Sequence, residues 1–117
     1  MPDQSVELSV KASSRKRPYR IEVLGQKDKV SVFCDCPAGA LGRFCKHKAA
    51  VVAGDMSLLA LPEEEKAQWA DTRALMSQST LPAKLDELRA AEKDSEVSKQ
   101  QIKSLKMRLS RMMQDGA

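Results

Sequence analysis

Three cysteines and the single histidine of this 117-residue chain fall within fourteen residues, as Cys34-Asp35-Cys36 and, eight residues later, Cys45-Lys46-His47. Three thiolates and one imidazole make the ligand set of a closed tetrahedral site, most simply for Zn2+. A chain that must bring a CxC and a CxH to one point has few routes between them, so this cluster restricts the fold more than any other feature.

Other uses of these residues fit less well. A disulfide framework calls for an even number of cysteines in a secreted chain, and no apolar signal segment follows Met1. A catalytic Cys45/His47 pair lacks a recognisable third group and leaves two thiols unexplained. Inert buried cysteines would be scattered, not gathered beside the one histidine. Among metals, iron is the minor alternative, because iron–sulfur clusters generally take four thiolates. Four protein ligands leave no open position for water, so the ion is expected to hold structure and the chain is not expected to be an enzyme.

The aromatic residues are Tyr19, Phe33, Phe44 and Trp69, and so small a set in so short a chain promises a modest core. Metal binding in zinc-finger peptides is worth about 10–16 kcal/mol, on the scale of the roughly 5–15 kcal/mol that stabilises a whole domain. The N-terminal half is therefore expected to need its metal. No stretch approaches the roughly 20 apolar residues of a membrane span, and free thiols need reducing surroundings. The expectation is a soluble intracellular protein of cytoplasm or nucleus, with no membrane partner.

Alternation of Val6, Leu8, Val10 and Ala12 with polar residues reads as a half-buried strand over Ser5 to Ala12. Tyr19, Ile21 and Val23 share one face of a second strand, and Gly25-Gln26-Lys27-Asp28 turns the chain into a third, Val30 to Phe33. That strand delivers Cys34, after which Cys36-Pro37-Ala38-Gly39 can bend around a metal. Arg43 to Ala53 reads as a helix stopped by Gly54, with Cys45 and His47 in its first turn. Residues two apart on a helix face different ways, so this pair can converge on one ion only where the helix begins.

The segment FCDCPAGALGRFCKHKAAVV resembles the SWIM-type zinc finger, whose pattern is CxC, a variable spacer and CxH; the likeness covers about residues 18 to 54. It implies zinc on Cys34, Cys36, Cys45 and His47, a helix over Ala49 to Val52, and binding to DNA or to protein partners without catalysis.

Pro62 followed by Glu63, Glu64 and Glu65 suits a helix start, predicting a helix from about Pro62 to Met76 with Trp69 as core. From near Pro82 the chain is free of Gly and Pro until Gly116. Leu81, Leu88, Ser95, Ile102 and Leu109 fall at one heptad position and Ala91, Ser98, Leu105 and Met112 at the other, predicting a coiled-coil-like helix. Ser95 and Ser98 leave three readings open: a register device, a break between two helices, or a helix exposed on both sides. The stripe could fold back, pair in a homodimer or dock on another protein.

The expected fold class is thus α+β: a small three-stranded antiparallel sheet plus a helix around a zinc site, followed by two C-terminal helices, the last long and coiled-coil-like. Three segments are expected: a SWIM-like module over 1–55 (motif 34–47), a linker with a short helix over 56–80, and an amphipathic helix over 81–117.

Residues 1–55 hold ten Lys/Arg against six Asp/Glu, and residues 56–117 ten against ten, so the net charge of +4 belongs to the motif-bearing half. Arg15, Lys16, Arg17 and Arg20 lie near the first sheet connection, and Arg43, Lys46 and Lys48 surround the CxH. These are the candidate phosphate contacts of a module binding DNA or RNA. Lys99, Lys103, Lys106, Arg108 and Arg111 make the last helix basic, which usually means a solvated face. The alternative is a protein–protein interaction adaptor using the finger and the C-terminal helix.

Overall fold

The computed structural model describes residues 4–12, 17–26 and 29–117. Strands β1 (Gln4–Val10), β2 (Tyr19–Gln26) and β3 (Lys29–Cys34) form an antiparallel sheet in that order. Strict alternation places Val6, Leu8, Val10, Tyr19, Ile21, Val23, Val30, Val32 and Cys34 on the buried face. Register lines these into rows: Val6, Val23 and Val32 stand side by side, as do Leu8, Ile21 and Cys34. The first thiol of the motif is therefore a core-facing residue at the sheet's end. The turn expected through Lys27 and Asp28 lies outside the described residues.

After β3 come a short helix α1 (Pro37–Ala40) and helix α2 (Lys46–Ala53). Helix α2 stops at Gly54, which takes the left-handed conformation at φ 79° and donates its N–H to the Val51 carbonyl at 3.2 Å. The chain then covers the free edge of β1. Lys11 donates to the Leu58 carbonyl and Ala60 to that of Ser9, at 2.8 and 2.9 Å. A sheet edge so occupied cannot recruit another strand at that point.

Helix α3 (Lys66–Met76) starts four residues later than Pro62. The carboxylate of Glu65 faces away from its own helix end and accepts from the Ser9 backbone N–H at 2.8 Å and from Ser9 Oγ at 3.2 Å. Tying down β1 takes the side chain that the sequence assigned to the helix start. Trp69 lies in the core, as expected from the sequence.

The segment from Leu81 onward is two helices, α4 (Leu81–Lys93) and α5 (Lys99–Asp115). Of the three readings of Ser95 and Ser98, the break is the one present. Ser98 caps α5 by a reciprocal pair of bonds: Gln101 N donates to Ser98 Oγ at 3.1 Å, and Ser98 N donates to Gln101 Oε1 at 2.9 Å. The heptad stripe is thereby divided between two helices. Helix α5 runs back along α4, Lys106 reaching Glu92 at 3.9 Å, and also packs on β3. Leu85 and Leu88 of α4 and Leu109 and Met113 of α5 join the sheet's apolar face in one core, which runs through all three segments expected from the sequence. Among the described residues no helix is long and apolar enough to cross a membrane.

Candidate metal centre

Each donor of the CxC…CxH motif reaches the site from a different local structure. Cys34 ends β3 in the core-facing row. Cys36 is the N-cap of α1, with Pro37 in the first turn, and its sulfur accepts the Gly39 N–H at 3.3 Å. Cys45 is the N-cap of α2 and keeps extended dihedrals, φ −136° and ψ 131°, while His47 is already helical. That change of backbone across two residues lets a CxH pair converge. Two of the three thiols thus sit at helix starts, where backbone N–H groups favour a thiolate.

The four side chains are buried, and their ligand atoms all lie within 4.8 Å of one another. The Cys36 and Cys45 sulfurs are 3.2 Å apart, and His47 Nδ1 lies 3.4 Å from Cys45 Sγ and 3.8 Å from Cys34 Sγ. Zinc bonds of about 2.3 Å to sulfur and 2.0–2.1 Å to nitrogen imply tetrahedral edges of roughly 3.8 Å between sulfurs and 3.6 Å from sulfur to nitrogen. The two sulfur–nitrogen separations straddle their edge, and the Cys36–Cys45 pair is somewhat short of the sulfur–sulfur edge. A disulfide, at about 2.05 Å, is excluded for Cys36 and Cys45, and all three cysteines are free thiols. Nδ1 is the ring nitrogen turned to the sulfurs. The imidazole also packs against Tyr19, ring centroids 5.4 Å apart and tilted by 53°.

The electrostatics of the cluster suit a cation. The neighbouring Cys34 thiol, aided by the Lys48 backbone N–H, holds the Cys45 thiol below its ordinary range, while the same Cys45 neighbour and burial push the Cys34 thiol up. One sulfur gives up its proton readily and its neighbour keeps one. A metal requires all three cysteines as thiolates, and the positive ion supplies the charge that allows it.

A close approach between turn and strand holds this arrangement. A Cβ on Gly39 would overlap the Cys34 carbonyl oxygen and stand 2.9 Å from Cys34 Cβ, so α1 lies against the strand end as only glycine permits. In sequence Gly39 reads only as part of the bend Cys36-Pro37-Ala38-Gly39. Its role depends on contact with β3, which no local pattern displays.

The candidate phosphate contacts are divided by the fold. Arg15 and Lys16 lie outside the described residues. Arg17 is exposed, and Arg20 is exposed on the sheet's outer face with Nε 3.9 Å from Glu7 Oε2. Arg43 and Lys46 are exposed on either side of Phe44 and Cys45. Lys48 is buried at 3% exposure within α2, unlike the exposed Arg43 and Lys46.

Comparison with protein-family models, curated proteins and solved structures returned no match to the chain.

Proposed function

We propose that the chain is a non-catalytic, zinc-stabilised module of the SWIM type that binds nucleic acid through its phosphates. The observation that carries this reading is the buried Cys3His cluster with cations, Arg43 and Lys46, exposed on both sides of ligand Cys45. The donors suit Zn2+, being three soft thiolates and an imidazole whose ligand atoms all lie within 4.8 Å of one another. Zinc bound there supplies structural charge compensation. Four protein donors fill its shell and leave no position for a substrate or an activated water.

The chain's own residues do the remaining work. Cys34 would tie the sheet to the ion, Cys36 would tie α1, and Cys45 with His47 would tie the start of α2, so one point would order three elements around a small core. Exposed Arg17, Arg20, Arg43 and Lys46 then present positive charge on a rigid frame, and binding that releases counterions from phosphates follows. The test is fluorescence anisotropy of the zinc-loaded full chain with labelled single-stranded and duplex oligonucleotides across a salt series. The expected result is an affinity that falls linearly with salt on logarithmic axes. Absence of measurable binding to either at low salt overturns the reading.

A further inference from the structure

The return of α5 along α4 sets its basic side beside the spacer between the two halves of the metal motif, and together they form a groove of about 760 Å3. Arg43 and Phe44 line it from the spacer. Lys103, Lys106, Met107 and Arg111 line it from α5. Their spacing of three and four residues puts them on one side of the helix. Among the described residues no Asp or Glu lines the groove, and Glu92 lies 3.9 Å from Lys106. Between the cations lies apolar surface: Met107 is 63% exposed, and the Lys106 ammonium stands 5.4 Å from the centroid of the half-buried Phe44 ring.

We infer that this groove seats a single strand of nucleic acid. The inference rests on the reading that the module binds phosphates, and it adds which surface does so and in which form the polymer is taken. Cations on both walls meet phosphates along a backbone, and the apolar strip between them meets the faces of unpaired bases. A duplex keeps its bases stacked inside and would lay polar backbone over Met107. An acidic peptide answers the charges and leaves the apolar strip without a partner.

The experiment uses the zinc-loaded full chain and anisotropy of a labelled mixed-sequence single strand. The duplex of the same sequence and a polyglutamate of equal charge serve as competitors. The strand is expected to bind tightest, at least about tenfold better than either competitor. Combined Lys103→Gln, Lys106→Gln and Arg111→Gln should lower the logarithmic salt slope by about 2, at roughly 0.7 per phosphate contact on a single strand. Met107→Gln, at an exposed position, should weaken the strand about 5-fold while leaving the duplex unchanged. Far-UV circular dichroism and zinc content verify the fold. If the triple variant fails that check, Arg111→Gln alone should still remove about 0.7 from the slope.

An unchanged slope in the folded variants overturns the groove while leaving phosphate binding intact. Duplex or polyglutamate binding as tight as the strand overturns it also. Failure of the wild-type chain to bind any nucleic acid removes both readings.

Discussion

Replacing Gly39 by alanine disturbs the metal centre while leaving all four donor residues in place. The added methyl would overlap the Cys34 carbonyl oxygen, and its distances to Cys34 Cβ and to the carbonyl carbon would be 2.9 and 3.0 Å, where ordinary contact begins at 3.4 Å. Helix α1 and the end of β3 must therefore separate by about half an ångström or more, and zinc–ligand distances tolerate about 0.2 Å. The Gly39 N–H bonds Cys36 Sγ at 3.3 Å, so the displacement reaches a donor directly. Overpacking of this kind costs about 1–3 kcal/mol. Assigned to the metal-bound geometry, that range lowers zinc affinity by about 5- to 150-fold, since 1.4 kcal/mol is tenfold. Competition against a chromophoric chelator at fixed pH measures it. Leu41→Ala, at a side chain 69% exposed in the same loop, is the control and should shift affinity by less than about 2-fold. If Gly39→Ala holds zinc as tightly as the wild type, the contact between turn and strand is not what sets the site, and the reasoning fails.

Three further outcomes are expected. Native mass spectrometry of protein purified without chelator should find one zinc per chain, lost on acidification as protons compete for the thiolates, and Cys36→Ser or His47→Ala should abolish it and unfold the N-terminal half; a metal-free, folded wild type contradicts this. Ser98→Ala removes the acceptor of the capping box and should destabilise the chain by about 1 kcal/mol in urea titration, with no change in zinc affinity; full stability would mean that the helix break does not depend on its cap. Sedimentation of the full chain should report a monomer, because Leu81, Leu88 and Leu109 of the apolar stripe are already buried within the chain; a concentration-dependent dimer would show that the stripe retains a free seam.

The elements whose cues are local were legible in the sequence. Alternation at Val6, Leu8 and Val10 and at Tyr19, Ile21 and Val23 marked two strands, and Gly54 marked the end of α2. The donor set was equally plain, because Cys and His in a CxC…CxH pattern need no tertiary information to suggest a metal. What stayed hidden was decided by partners far along the chain. Glu65 leaves its helix end for Ser9, 56 residues away. The heptad pattern over 81–117 included Leu81, Leu88 and Leu109, which are buried, but missed Leu85 and Met113 and the break between the helices, since a stripe at period 3.5 looks the same whether one helix carries it or two antiparallel ones share it. Lys48 read as a surface cation because Arg43 and Lys46 lie close to it in sequence, whereas α2 is buried on every side from His47 to Val52. Conversely, Lys103, Lys106 and Arg111 read as a solvated face until the chain's return placed them beside Arg43.

Strand β3 carries Cys34 at one end and supports α5 along its length. A single six-residue strand thus belongs to two cooperative units at once, and whatever tightens it at the thiol also steadies the helix lying against it. Zinc should accordingly register as slower amide exchange in α5, a helix that supplies no ligand, because an ion bound by the folded state alone raises the free energy of every opening that releases it. Occupancy of the centre would then govern how long the far wall of the basic groove stays in place.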